Sequence, residues 1–272
     1  MSSIKNLSIA FMVLAFASCK KDDPAPPAPT VVKDWSIPLS AKNENPGLAS
    51  RNETGTATLQ LLSDNSLKYT INVTGLAAGD ALVAAHLHIG DVITNGPVVL
   101  GLNPTFTGAS ASGTIANVRT SLVDSLKNDV NEIYFNVHST QVASGLVRGQ
   151  LNTKLELSLD VLMNGTNEVP AVITTATGLA QLRLTIGRKL YTKITVSTLE
   201  AGDALAAAHI HRGATGVNGP VMLGLYTSAA DFGTVKIFTV DEVMFASLKN
   251  DALYFNAHSI IRPGGIVRGQ IR

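Results

Sequence analysis

The chain repeats itself. Val73 to His88 (VTGLAAGDALVAAHLH) returns as Val196 to His211 (VSTLEAGDALAAAHIH), and Asn95-Gly96-Pro97-Val98 returns as Asn218-Gly219-Pro220-Val221. Ser125 to Asp129 (SLKND) matches Ser247 to Asp251, and Tyr134-Phe135-Asn136-Val137-His138-Ser139 matches Tyr254-Phe255-Asn256-Ala257-His258-Ser259. Asn43-Glu44-Asn45-Pro46 is answered by Asn167-Glu168-Val169-Pro170, and each copy closes on Val-Arg-Gly-Gln, at 147–150 and 267–270. The spacing is about 120 residues, far above the roughly 20–50 of solenoid repeats, so the copies are tandem domains. The expected layout is a signal peptide over 1–18, a tether over 19–33, and domains over 34–152 and 153–272.

Within each copy the periodicity is that of strands. Leu67, Tyr69, Ile71 and Val73 alternate with polar residues, as do Leu190, Thr192, Ile194 and Val196. Turn residues punctuate the runs at Asp64-Asn65, Gly75, Gly79-Asp80 and Asn95-Gly96-Pro97. The pattern predicts an all-β chain of two tandem antiparallel Greek-key β-sandwich domains, with seven or eight short strands in each. One short helix per copy is expected before the Tyr-Phe-Asn strand. There Leu122 and Leu126, and Met244 and Leu248, are spaced four apart, with Thr120 or Asp241 as caps.

The motifs quoted above resemble the CHRD domain family, named after chordin, an extracellular binder of bone morphogenetic proteins. The second copy carries the whole family pattern: Glu-Val-Pro, Ala-Ala-His-Ile-His, Asn-Gly-Pro-Val, Tyr-x-Asn-x-His and the closing Arg-Gly-Gln. The first copy departs at Asn43 to Pro46 and at Val92 to Thr94. The resemblance covers residues 34–272 and implies an extracellular module, with no settled biochemical activity to carry across.

Cysteine usage and charge narrow the setting. The only cysteine is Cys19, after an apolar run from Leu7 to Ala17 and a positive Lys5. Phe16-Ala17-Ser18-Cys19 resembles a bacterial lipoprotein processing site, and Lys20-Lys21-Asp22-Asp23 resembles the charged tetrad of surface-exposed Bacteroidetes lipoproteins. Cys19 is therefore the expected lipid anchor, the location an outer membrane facing outward, and the Pro/Ala-rich segment a semi-stiff spacer. Beyond Cys19 there is no thiol for a disulfide or a metal. Removal of Lys5 with the signal leaves basic and acidic side chains balanced at 20 each. That balance excludes the clustered positive charge of a nucleic-acid partner.

All six histidines fall at matching positions: His86, His88 and His138, then His209, His211 and His258. Side chains alternate faces along a strand, so His86 and His88 oppose Leu87, while Tyr134, Asn136 and His138 oppose Phe135 and Val137. If the apolar faces form the core, the histidines lie on the outer face. Two readings follow. The imidazoles bond to loop backbone and pin the 90–130 connection, with Asn136 and Asn256 doing similar work. Alternatively each trio is a three-nitrogen site suited to Zn or Cu. The His-x-His pair resembles the copper ligands of Cu,Zn superoxide dismutase. A fourth histidine, the bridging histidine and the disulfide of that enzyme have no counterpart here, which argues against dismutase chemistry.

Glu44 and Glu168 read as loop contacts, and Arg148 and Arg268 as anchors for a carboxylate or loop carbonyls. Ser139 and Ser259 lack the order of a nucleophilic triad, and neither a phosphate loop nor paired carboxylates are present. The leading expectation is a membrane-anchored, non-enzymatic binding or adhesion module for an extracellular ligand. The second is a Zn- or Cu-binding or redox protein built on the histidine clusters.

Overall fold

The structure, a computed structural model, describes residues 27–272; the signal segment, Cys19 and the start of the tether lie outside the described residues. The alternating runs become eight strands per copy. The first copy holds β1 (Val31–Ser40), β2 (Thr54–Leu62), β3 (Leu67–Thr74), β4 (Leu82–Ile89), β5 (Val98–Gly101), β6 (Ser110–Ile115), α1 (Thr120–Asn128), β7 (Ile133–Ser139) and β8 (Val147–Gln150). The second holds β9 (Leu155–Asn164), β10 (Thr177–Thr185), β11 (Lys189–Ser197), β12 (Leu205–Arg212), β13 (Val221–Tyr226), β14 (Lys236–Thr239), α2 (Glu242–Asn250), β15 (Leu253–Ser259) and β16 (Val267–Gln270).

Each copy is one antiparallel sheet folded on itself, in the order β5-β4-β7-β8-β1-β2-β3-β6 and its equivalent β13-β12-β15-β16-β9-β10-β11-β14. β8 meets β1 at a single residue pair, Arg148 with Ser40, and β16 meets β9 only at Arg268 with Asn164. That narrow join divides each sheet into two four-stranded layers that close over one core. The two sandwiches, each with one short helix, are as the sequence predicts. Leu67, Tyr69, Ile71 and Val73 all face inward, against Leu87, Phe135 and Val137. In the second copy Leu190 and Ile194 meet Ile210, Phe255 and Ala257. Burying each of the larger side chains stabilises the fold by about 1.5–3 kcal/mol.

The helices lie where expected, but their starts differ. Asp241 caps α2, its carboxylate accepting from the Met244 amide at 2.8 Å. Thr120, the cap expected for α1, is instead its first helical residue, and Arg119 before it makes no side-chain cap bond because it has no acceptor oxygen.

The copies also differ on the outer faces of their β1-type and β2-type strands. Gln60 lies opposite Asp34 and Lys68 in the first sheet, as Arg183 lies opposite Ser158 and Tyr191 in the second. Thr58, Gln60 and Lys68 are exposed, whereas Gln181, Arg183 and Tyr191 are buried. Loops of the first domain cover them: Val92 and Ile93 pack on Tyr191 in a small cluster of their own.

Candidate functional site

β4 and β7 are neighbours, pairing Ala84 with His138 and His86 with Asn136. This non-local pairing brings the third histidine to the first two. All three rings lie half-buried on the outer face of the β5-β4-β7-β8 layer, and one ring nitrogen from each lies within 4.8 Å of the other two. His209, His211 and His258 repeat the arrangement on β12 and β15. Among the described residues no Cys, Asp or Glu joins either group.

Their hydrogen bonds assign the tautomers. A carbonyl only accepts, so His88 Nδ1–H donates to Gly96 O at 2.9 Å and His138 Nδ1–H donates to Ala143 O at 3.0 Å. The Nε2 atoms of both rings therefore carry lone pairs. His138 Nε2 faces His86 Nδ1 at 2.9 Å, and His88 Nε2 is buried without a partner. In the second domain His211 bonds Gly219 O at 3.0 Å, His258 bonds Pro263 O at 2.9 Å, His258 Nε2 faces His209 Nδ1 at 3.0 Å, and His211 Nε2 is again an orphan. Burial, with the neighbouring imidazoles adding to it, holds His86 and His209 below the usual histidine pKa. Burial does the same to His88 and His258. The neutral rings that result are the form a metal requires.

The remaining candidates build the frame around the rings. Tyr134 stacks on His88 with ring centroids 4.8 Å apart and planes at 8°, and the Arg148 guanidinium covers the other face of the frame at 3.5 Å from the Tyr134 centroid. Arg268, Tyr254 and His211 repeat the stack. Arg148 donates to Asn95 Oδ1 and Thr94 O, each at 3.0 Å, and to Asp91 O. Arg268 donates to Ala214 O at 2.9 Å and Val217 O at 3.0 Å. Both arginines thus anchor loop carbonyls. Gln150 and Gln270 join them by donating to Gly90 O and Gly213 O. Between Arg148 and Gln150, a Cβ on Gly149 would lie 2.2 Å from Pro38 O. The closing motif therefore sends Arg and Gln to the loop while its glycine lets β8 approach β1.

Asn136 Nδ2 donates to both oxygens of Glu44, at 3.1 and 3.0 Å, and Asn256 does the same to Glu168. Burial pushes Glu44 up to about 7, against the opposing pull of Arg148, the Asn136 bond and Arg183. Burial likewise pushes Glu168 up to about 7. Asn136 Oδ1 is buried without a partner. Gly145, at φ +135°, passes so close that a Cβ would sit 2.6 Å from Asn136 Oδ1 and 2.9 Å from Glu44 Oε2. Gly265 is equivalent, at φ +136°. Ser139 donates to Asp80 Oδ2 at 2.9 Å and tightens the 139–143 corner that presents Ala143 O to His138.

Sequence reasoning missed the tyrosines and Arg183. Tyr134 and Tyr254 carried a signal, since they share the outer face with the histidines. Arg183 had only a faint one, a cation where the first copy has Gln60.

Searches among curated proteins and among solved structures each found no match. The profile of the CHRD domain matches residues 35–151 and again 159–271. The chain belongs to the CHRD domain family, of which it carries two tandem copies.

Proposed function

We propose that this is a lipid-anchored, surface-displayed binding module whose two CHRD domains each hold one Zn or Cu ion through three imidazole nitrogens. The carrying observation is the orphaned Nε2 of His88 and, independently, of His211. Loop pinning explains Nδ1 of His88, His138, His211 and His258, and the pairing of His86 with His138 and of His209 with His258 accounts for one nitrogen of each remaining ring. These bonds leave a buried lone pair in both copies unexplained, and a buried acceptor without a partner costs about 1–3 kcal/mol. A ligating histidine characteristically donates its other N–H to a carbonyl, and His88, His138, His211 and His258 all do so. The donor set would be His88 Nε2, His138 Nε2 and His86 Nδ1, the last with its proton moved to Nε2, and His211, His258 and His209 likewise in the second domain. Three imidazoles suit Zn(II) or Cu(II), and three protein ligands leave one position to solvent.

Extracellular binding is the setting the CHRD family supplies, and Cys19 after its apolar leader supports the anchor. Metal analysis of the purified protein tests the assignment. Two ions per chain are expected, falling to one when His209, His211 and His258 become Ala, and to none when His86, His88 and His138 follow. A protein that takes up neither metal on titration ends the proposal.

A further inference from the structure

The second domain grips the loops around the first domain's histidines, and nothing among the described residues does the same for the second. Arg183 is fully buried, although it points outward from its own sheet. Its Nη2 donates to Glu44 O at 2.9 Å, and its Nη1 to Asp160 Oδ1 at 2.7 Å. Asp160 Oδ2 accepts from the Gly47 amide at 2.8 Å, and Gln181 Nε2 donates to Asn45 Oδ1 at 2.6 Å. The 43–47 loop is therefore fixed by the neighbouring domain.

It passes the constraint on. Asn95 Nδ2 donates to Asn45 O at 2.6 Å, and Asn45 Nδ2 donates to Ile93 O. Val92 and Ile93 are 1% and 0% exposed, packed with Tyr191. The 91–96 loop ends at Gly96, whose carbonyl orients His88.

In the second domain the counterpart loop, among the described residues, keeps only bonds within its own domain. Asn218 donates to Val169 O, and Arg268 holds Ala214 O and Val217 O. The apolar anchor is gone: Ala214-Thr215-Gly216-Val217 replaces Asp91-Val92-Ile93-Thr94, and Val217 is 54% exposed.

We infer that Arg183, Asp160 and Tyr191 are positioning residues for the first domain's histidine site, so that the two sites are inequivalent: the first holds its ion behind a clamped loop, and the second exchanges. The statement about ions rests on the metal-binding reading; the clamp itself does not. Release of an ion requires its ligating rings to swing away, and for His88 that motion is restrained by the Gly96 carbonyl on the clamped loop. Loop opening is thus the step the clamp slows.

Two measurements on the full chain in detergent test this. The first is amide hydrogen exchange on metal-free protein, comparing residues 91–97 with 214–220. The first loop should exchange at least tenfold more slowly, and Arg183→Ala or Tyr191→Ala should erase the difference without changing the second loop. Tyr191→Phe, which keeps the ring, should preserve it, and Gln60→Ala should change neither loop. The second is release of Zn(II) to excess EDTA, which should show two phases of equal amplitude in the parent. In Arg183→Ala the slow phase should merge with the fast one. Equal exchange at both loops, or a difference that survives Arg183→Ala and Tyr191→Ala, overturns the clamp. Failure to load any zinc, with the exchange difference intact, overturns the metal reading and leaves the clamp standing.

Discussion

The two domains share a motif set, a topology and a site, yet their outer faces have gone different ways. On the first, Thr58, Gln60 and Lys68 stand in water; on the second, the positions in the same register are Gln181, Arg183 and Tyr191, closed over by the neighbouring domain. The loops have diverged in complementary fashion, with Val92-Ile93 against Tyr191 in one and Thr215-Gly216 facing no such partner in the other. The positions left alone are those that build the histidine frame: the three histidines, the stacked Tyr and Arg, and the Glu-Asn pair. Surfaces changed to suit the contact between domains, while the site did not. The contact is one-sided: the second domain's loop lacks the apolar pair, and the first domain's outer face lacks the arginine.

The comparison breaks most visibly at Arg183. Removing one partner of a buried, hydrogen-bonded ion pair costs about 3–5 kcal/mol. Arg183→Ala should lower stability on that scale in chemical denaturation, whereas Gln60→Ala at the matching exposed position should stay within about 0.5 kcal/mol. Equal effects would mean that the contact between domains is incidental.

The buried carboxylates should behave alike in both copies. Glu44 stands at about 7 when folded against a reference of 4.5, so the native state binds the extra proton between those values. Stability therefore falls as pH rises through that window, is unpenalised below it and fully penalised above it. Glu44→Gln removes the penalty and keeps an oxygen to accept from Asn136 Nδ2. Its gain over the parent should reach up to about 3 kcal/mol at pH 8 and vanish near pH 4.5. Since the imidazoles pull the other way, parent and variant are compared at each pH. Glu168→Gln should move in the same direction. A gain independent of pH would show that these carboxyls are ordinary.

The helix starts give the smallest contrast. Asp241→Ala should cost about 1 kcal/mol by loss of the cap on α2, and Arg119→Ala at the equivalent place before α1 should cost almost nothing. Similar losses at both would mean that the capping difference has no energetic weight.

What could be read in the chain divides along the same line as the comparison. Alternation of faces is a local rule, so Leu67 to Val73 could be assigned inward and His86 and His88 outward together without any tertiary knowledge. The repeat then located the third histidine but not its neighbours. Joining His138 to His86 required the pairing of β4 with β7 across some fifty residues of intervening chain, which periodicity does not encode. The Glu44–Asn136 pair was out of reach for the same reason, though both residues had been singled out. Arg183 and Tyr191 were the hardest. An arginine on the outward face of a strand reads as solvated, and only a second domain lying across it makes it a buried one. Even there the two copies hold the clue. Where repeats of one fold disagree at outward positions, the disagreement marks what each copy touches.

The central claim is that each trio of imidazoles converges on one ion. Crystals of protein loaded with zinc, measured on both sides of the zinc absorption edge, test it most directly. The account predicts two anomalous peaks per chain, one about 2.0–2.1 Å from a nitrogen of His86, His88 and His138 and one equally placed among His209, His211 and His258. Peaks bound elsewhere, or none at the histidines of either domain, would contradict it.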